Sequence, residues 1–156
     1  MIVNTSNVNF VNTPTFTLPA GTNRYVLFML ASADFPNIVT IAGTVATMIV
    51  QIGNEDQAAA MWGANIPDST AAGNYTITFD KPCSVRKFIA VFTGVSRDPV
   101  VDSAAFRNGS IYGDGDTLTV DCVGGGWVHD IVFTGAAKTA GANQTVIYNS
   151  TDNGVG

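Results

Sequence analysis

Between residues 15 and 148 the chain alternates apolar and polar residues in short runs, interrupted about every ten residues by Gly, Pro, Asn or Asp. A period of two puts successive side chains on opposite faces, and no stretch keeps helical spacing for long, so the pattern predicts strands throughout. Arg24–Ser32 (RYVLFMLAS) is apolar on both faces, which predicts a central strand. Residues 15–18 form a short strand bracketed by Pro14 and Pro19. Residues 38–42 and 45–52 read as two strands around a tight turn at Gly43-Thr44. Residues 57–64 (QAAAMWGA) read as a strand or a mixed segment, because their alanines permit a helical turn while Gly63 and the short length oppose one. Residues 74–80 put Tyr75, Ile77 and Phe79 on one face, and residues 84–93 put Phe88, Ala90 and Phe92 opposite Ile89 and Val91. Further strands are expected near 100–106, at 117–123 with Leu118, Val120 and Cys122 inward, at 127–134 and at 144–149.

So many short strands suit an all-β fold, an antiparallel two-sheet β-sandwich of jelly-roll type. The expected organisation is an N-terminal arm or first strand over residues 1–13, one sandwich domain over 14–149 and a flexible polar tail over 150–156. In the arm, Ile2, Val3, Val8 and Phe10 stand among Asn and Thr and are candidate assembly contacts.

Composition sharpens this picture. The 156 residues fit one domain, and a chain of that size buries roughly 70% of its unfolded surface without needing staples. Only 12% of residues are charged, about half the usual fraction of roughly 25%. The outside must then be covered largely by Thr, Asn, Ser, Gly and Ala, as suits a surface packed against other copies or partners. The net charge is −5, and the seven basic residues are scattered; only Arg86 and Lys87 are adjacent, and strand neighbours face opposite ways. Phosphate recognition needs clustered basic charge, so no nucleic-acid partner is expected, nor an anionic membrane. No apolar run approaches the roughly 18 residues of a membrane helix. Met1 is followed by no basic or hydrophobic leader region, so the reading expects synthesis in the cytoplasm or a chain that starts after a removed leader.

The chemistry-bearing residues form no catalytic set. His129 is the single histidine; Asp130 beside it points to the opposite face, and no nucleophile accompanies it. Asp114-Gly115-Asp116 resembles the start of a calcium loop, but a strand follows where further oxygen ligands would be needed, so a turn is the better reading. Glu55-Asp56 contains the only Glu and reads as a solvated hairpin end. Gly124-Gly125-Gly126 lacks the helix and the Lys-Ser/Thr of a phosphate cradle. Cys83 and Cys122 match no metal spacing and read as two small buried residues, with a disulfide left open. Trp62 and Trp127 read as core, while Tyr112, amid Gly and Asp, is the candidate exposed aromatic. The expectation is therefore no enzyme, no cofactor and no metal.

Several landmarks occur in a telling order: Arg24-Tyr25-Val26-Leu27, then Ile41-Ala42-Gly43, Trp62, Pro67, Gly73-Asn74-Tyr75-Thr76-Ile77-Thr78-Phe79, Phe92-Thr93-Gly94-Val95 and Pro99. This order resembles β-sandwich modules of tailed-bacteriophage virion proteins and of some bacterial surface proteins. It covers roughly residues 15–100 through short structural motifs and carries no catalytic residue. Where that plan has Tyr-Gly-Gly, this chain has Ile41-Ala42-Gly43, and its C-terminal third matches less well, leaving open whether the plan's last strand is absent or supplied by another subunit. The resemblance implies a capsid decoration (cement) protein on the outer surface of a phage head, with the major capsid protein and neighbouring copies as partners. The alternative is a carbohydrate- or receptor-binding module of a phage tail or bacterial surface protein, using exposed Tyr and Asn. A hydrolase has little to build with.

Overall fold

A computed structural model of the chain describes residues 2–4, 13–32, 35–54, 57–83 and 85–95. Among them every regular element is a strand: β1 (Ile2–Asn4), β2 (Thr15–Leu18), β3 (Arg24–Ser32), β4 (Val39–Ile41), β5 (Thr44–Val45), β6 (Thr47–Asn54), β7 (Gln57–Ile66), β8 (Gly73–Phe79) and β9 (Val85–Phe92). They form a five-stranded sheet in the order β1-β9-β3-β7-β6 and a four-stranded sheet in the order β2-β8-β4-β5. Every described pairing is antiparallel. The fold is an antiparallel two-sheet β-sandwich, jelly-roll-like in that the chain crosses between sheets at successive strands from β1 to β4.

The core lies between the sheets and follows the period of two. Phe16 and Leu18 of β2, Val39 and Ile41 of β4 and Ile77 of β8 meet Val26, Phe28 and Leu30 of β3, Trp62 of β7 and Ile89 and Val91 of β9. Burying each of the larger side chains stabilises the fold by about 1.5–3 kcal/mol. Trp62 stacks on Phe35 with ring centroids 5.0 Å apart, and Phe28 meets both Trp62 and Phe79. Trp62 is core, as its alternating neighbours predict, and Cys83 is buried. The strand β3 is central in its sheet, flanked by β7 along its whole length and by β9 over residues 25–32, as its two apolar faces require.

Local details differ from the sequence expectation in two places, and an open reading is resolved in a third. The turn between β4 and β5 falls at Ala42-Gly43 rather than Gly43-Thr44. Both turn residues have positive φ, 48° and 79°, the backbone sign that matches a tight two-residue hairpin to strand twist. The run expected at 45–52 is two strands, because the Ala46 amide donates to the Val39 carbonyl at 2.8 Å, ending the hairpin, and Thr47 then pairs with Gly63 in the other sheet. The segment expected to be strand or mixed is the ten-residue strand β7, paired on both sides by β3 and β6. There the ladder outweighs the modest strand propensity of alanine.

An exposed apolar corner as the candidate functional site

At the passage from one sheet to the other, three large apolar side chains face solvent. Ile38 is 50% exposed, Val45 68% and Met48 51%. The geometry follows from the hairpin register. Thr40 pairs with Val45 and Ile41 with Thr44, and the Ala46 amide continues the ladder to Val39, which brings Ile38 level with Thr47. Val39 and Ile41 point into the core, so Ile38 and Thr40 take the opposite, outward face, and Val45 shares that face as the partner of Thr40. Met48 is the partner of Trp62 across β6 and β7, so it lies at the rim of the core beside a fully buried ring.

The corner is also where both sheets end. Among the described residues β5 is the last strand of the four-stranded sheet and β6 the last of the five-stranded one, and Ala46 joins them directly. The β6 edge is irregular: its register with β7 shifts between Met48 and Val50, a bulge that twists the edge and limits indiscriminate pairing.

The loop that carries Ile38 is pinned. The Asp80 carboxylate accepts the Ile38 and Asn37 amides, the latter at 3.0 Å, and these backbone bonds, with Ile38 the largest contributor, hold its pKa below the ordinary carboxylate value. The Asp80 amide returns a bond to the Ile38 carbonyl at 3.2 Å. Ile38 is therefore presented on a fixed backbone.

At the start of β3, Arg24 is 2% exposed and ties down the loops around it. Its guanidinium donates to the carbonyls of Thr70 at 2.7 Å, Pro67 at 2.8 Å, Pro19 at 3.2 Å and Asp68 at 3.3 Å. The Asp68 carboxylate accepts the Asn23 amide at 2.8 Å. This arrangement is a structural clamp made of carbonyl acceptors around a planar donor fork.

Of the residues singled out by sequence, Ile2 and Val3 fall in β1, where they pair with Val91 and Ala90 of the same chain at the edge of the five-stranded sheet. Val8, Phe10 and Tyr112 lie outside the described residues, as do Glu55, Asp56, Asp114, Asp116, Cys122, Trp127 and His129. Among the described residues, no three His, Cys, Asp or Glu side chains come together as a metal site, and no helix is long and apolar enough to cross a membrane. Sequence alternation does not mark Ile38, Val45 and Met48 as exposed, because it gives a strand's faces and is silent on where that strand stands in its sheet. Compared with protein-family models, curated proteins and solved structures, the chain matches none.

Proposed function

We propose that this chain is a non-enzymatic virion structural protein, a decoration protein bound to the outside of a tailed-phage head, where it contacts the major capsid protein and neighbouring copies of itself. The observation that carries this reading is the exposure of the large apolar side chains Ile38, Val45 and Met48 around the point where β5 and β6, the last described strands of their sheets, adjoin. Covering such positions contributes about 25 cal/mol per Å² of apolar surface removed from water. A chain that spans neighbouring capsid subunits binds the assembled shell in preference to free subunits, and so stabilises the shell by mass action. The landmark order across roughly residues 15–100 supports the same reading, and the net charge of −5 suits an outer surface better than one facing DNA. On this reading the protein is made in the host cytoplasm and resides on the virion.

The test is to separate virus particles on a density gradient and to quantify this chain per particle by mass spectrometry. Copy numbers comparable to that of the major capsid protein on DNA-filled heads support decoration. A handful of copies, or none, overturns it and makes glycan-array binding the next measurement, for the carbohydrate-binding alternative.

A further inference from the structure

The three members of the apolar corner are not held alike. Val45 pairs with Thr40 in β5 and Met48 with Trp62 in β6, so strand pairing fixes both backbones. Ile38 stands one residue before β4 begins, outside any strand. The register of β4 with β8 ends on the pair Val39 and Phe79, and Ile38 with Asp80 would be the next rung. Half of that rung is present, since the Asp80 N–H donates to the Ile38 carbonyl at 3.2 Å. A regular antiparallel pair would return the Ile38 N–H to the Asp80 carbonyl. Here the Asp80 carboxylate accepts that N–H. It also accepts the Asn37 N–H at 3.0 Å and a bond from the Asn37 side-chain amide. Three donors from two neighbouring residues thus converge on one exposed charge. The approach to this point is held differently: Phe35 stacks on Trp62, and Pro36 is buried. What depends on Asp80 is therefore Asn37 and Ile38.

We infer that Asp80 is the positioning residue of the corner, a charge-dependent latch that sets where Ile38 stands, and that protonating it frees Asn37 and Ile38 while both sheets stay folded. The functional half of this inference rests on the decoration reading; the latch itself does not. An ionised carboxylate is acceptor-only and offers two oxygens to these donors, whereas a protonated one turns a hydroxyl toward N–H groups that already point at it. The donors therefore favour the ionised form, and the lowered pKa of Asp80 agrees. The latch is complete above the ordinary Asp value of 3.8 and is lost as pH falls through the lower value of the folded chain. Few other titratable groups surround it. Residues 35–46 and β8 carry no charged side chain, and the Tyr75 hydroxyl of β8 donates to the Ala71 carbonyl at 2.9 Å. Lys81 follows directly and is exposed, and Cys83 is buried. Among the described residues, hydrogen bonds rather than neighbouring charges lower the Asp80 pKa.

The test follows the full chain by NMR as pH falls from about 7 to about 2.5. The Asn37 and Ile38 N–H resonances are expected to shift together with the Asp80 carboxyl carbon, at one midpoint below 3.8. Asp80→Asn keeps one acceptor oxygen and loses the charge. It should abolish that shared transition and, at neutral pH, speed amide exchange at Asn37 and Ile38 at least about tenfold while β3 and β9 keep their rates. Amides that ignore the Asp80 titration, or unchanged exchange in Asp80→Asn, would overturn the latch. So would exchange that rises equally in both sheets, which would make Asp80 a support of the whole fold. A last arm measures co-sedimentation with undecorated heads, where Asp80→Asn should bind several-fold more weakly than the parent. Equal binding with Asn37 and Ile38 freed would remove Asp80 from the contact. A parent chain that does not bind heads would sink the decoration reading and leave the latch to be decided by resonance and exchange.

Discussion

The Tyr25 ring lies across Gly63 on the outer face of the five-stranded sheet. The two residues are diagonal neighbours, since Tyr25 pairs with Asn65 and Leu27 with Gly63. A Cβ placed on Gly63 would overlap the Tyr25 phenol oxygen and stand 2.5 Å from Cζ, with the Ile49 side chain 3.1 Å away. Glycine in a strand interior normally weakens it, and an aromatic ring laid over the bare backbone restores the lost cover. Gly63→Ala should therefore destabilise the protein by about 1–3 kcal/mol through overpacking, measured by urea denaturation. In a Tyr25→Leu background the same change should cost much less. Equal costs in both backgrounds would show that the ring is not what excludes the methyl group.

The stability of this protein should depend on alkaline pH in two opposite ways. Burial raises Tyr25 from 10.0 to about 12, so between these values the unfolded chain holds fewer protons than the folded one and stability falls as pH rises. Lys87 faces the core side of β9, opposite Leu30, and burial lowers its pKa from 10.5. Between its folded pKa and 10.5 the unfolded chain holds more protons, and stability rises with pH. Tyr25→Phe should remove the fall above pH 10, and Lys87→Met should raise stability at neutral pH. Denaturation midpoints across pH 7 to 12 read both; a Lys87→Met variant less stable at neutral pH would contradict the cost of burying this amine.

Arg24 holds four carbonyls from two loops, and its guanidinium shape matters as much as its charge. Arg24→Lys offers one compact donor group in place of a planar fork and should cost about 2 kcal/mol; Arg24→Ala should cost more, since it strands several buried acceptors. The expected companion effect is faster protease cleavage in the loop between β7 and β8. A lysine variant as stable as the parent would mean that charge alone organises these loops.

Charge placed on the apolar corner should separate folding from assembly. Val45→Asp and Met48→Lys change exposed positions, so stability should stay within about 0.5 kcal/mol of the parent. On the proposed function, binding to undecorated heads should drop at least tenfold, read by co-sedimentation. Variants that bind like the parent would move the capsid contact away from this corner.

Much of the sandwich was written in local pattern. Alternation at Tyr75, Ile77 and Phe79 set the inward face of β8, and the two apolar faces of Arg24–Ser32 marked a central strand. Trp62 was legible as core because its flanking residues alternate. These features depend on side-chain period and solvation, which neighbouring residues determine together. Which strands pair depends instead on contacts between distant residues. Ala46 looks like any small residue within an apolar run, yet its N–H donates a hydrogen bond to the Val39 carbonyl at the point where the chain passes from one sheet to the other. Among the described strands that turn leaves β5 and β6 adjoining at the ends of their sheets, with Val45 and Met48 exposed, while Leu27 and Phe88, no more hydrophobic than they are, end up buried on the opposite side of the core sheet. The faces of the strands belonged to the sequence; their order, and which described strands stand last in each sheet, were decided by tertiary pairing.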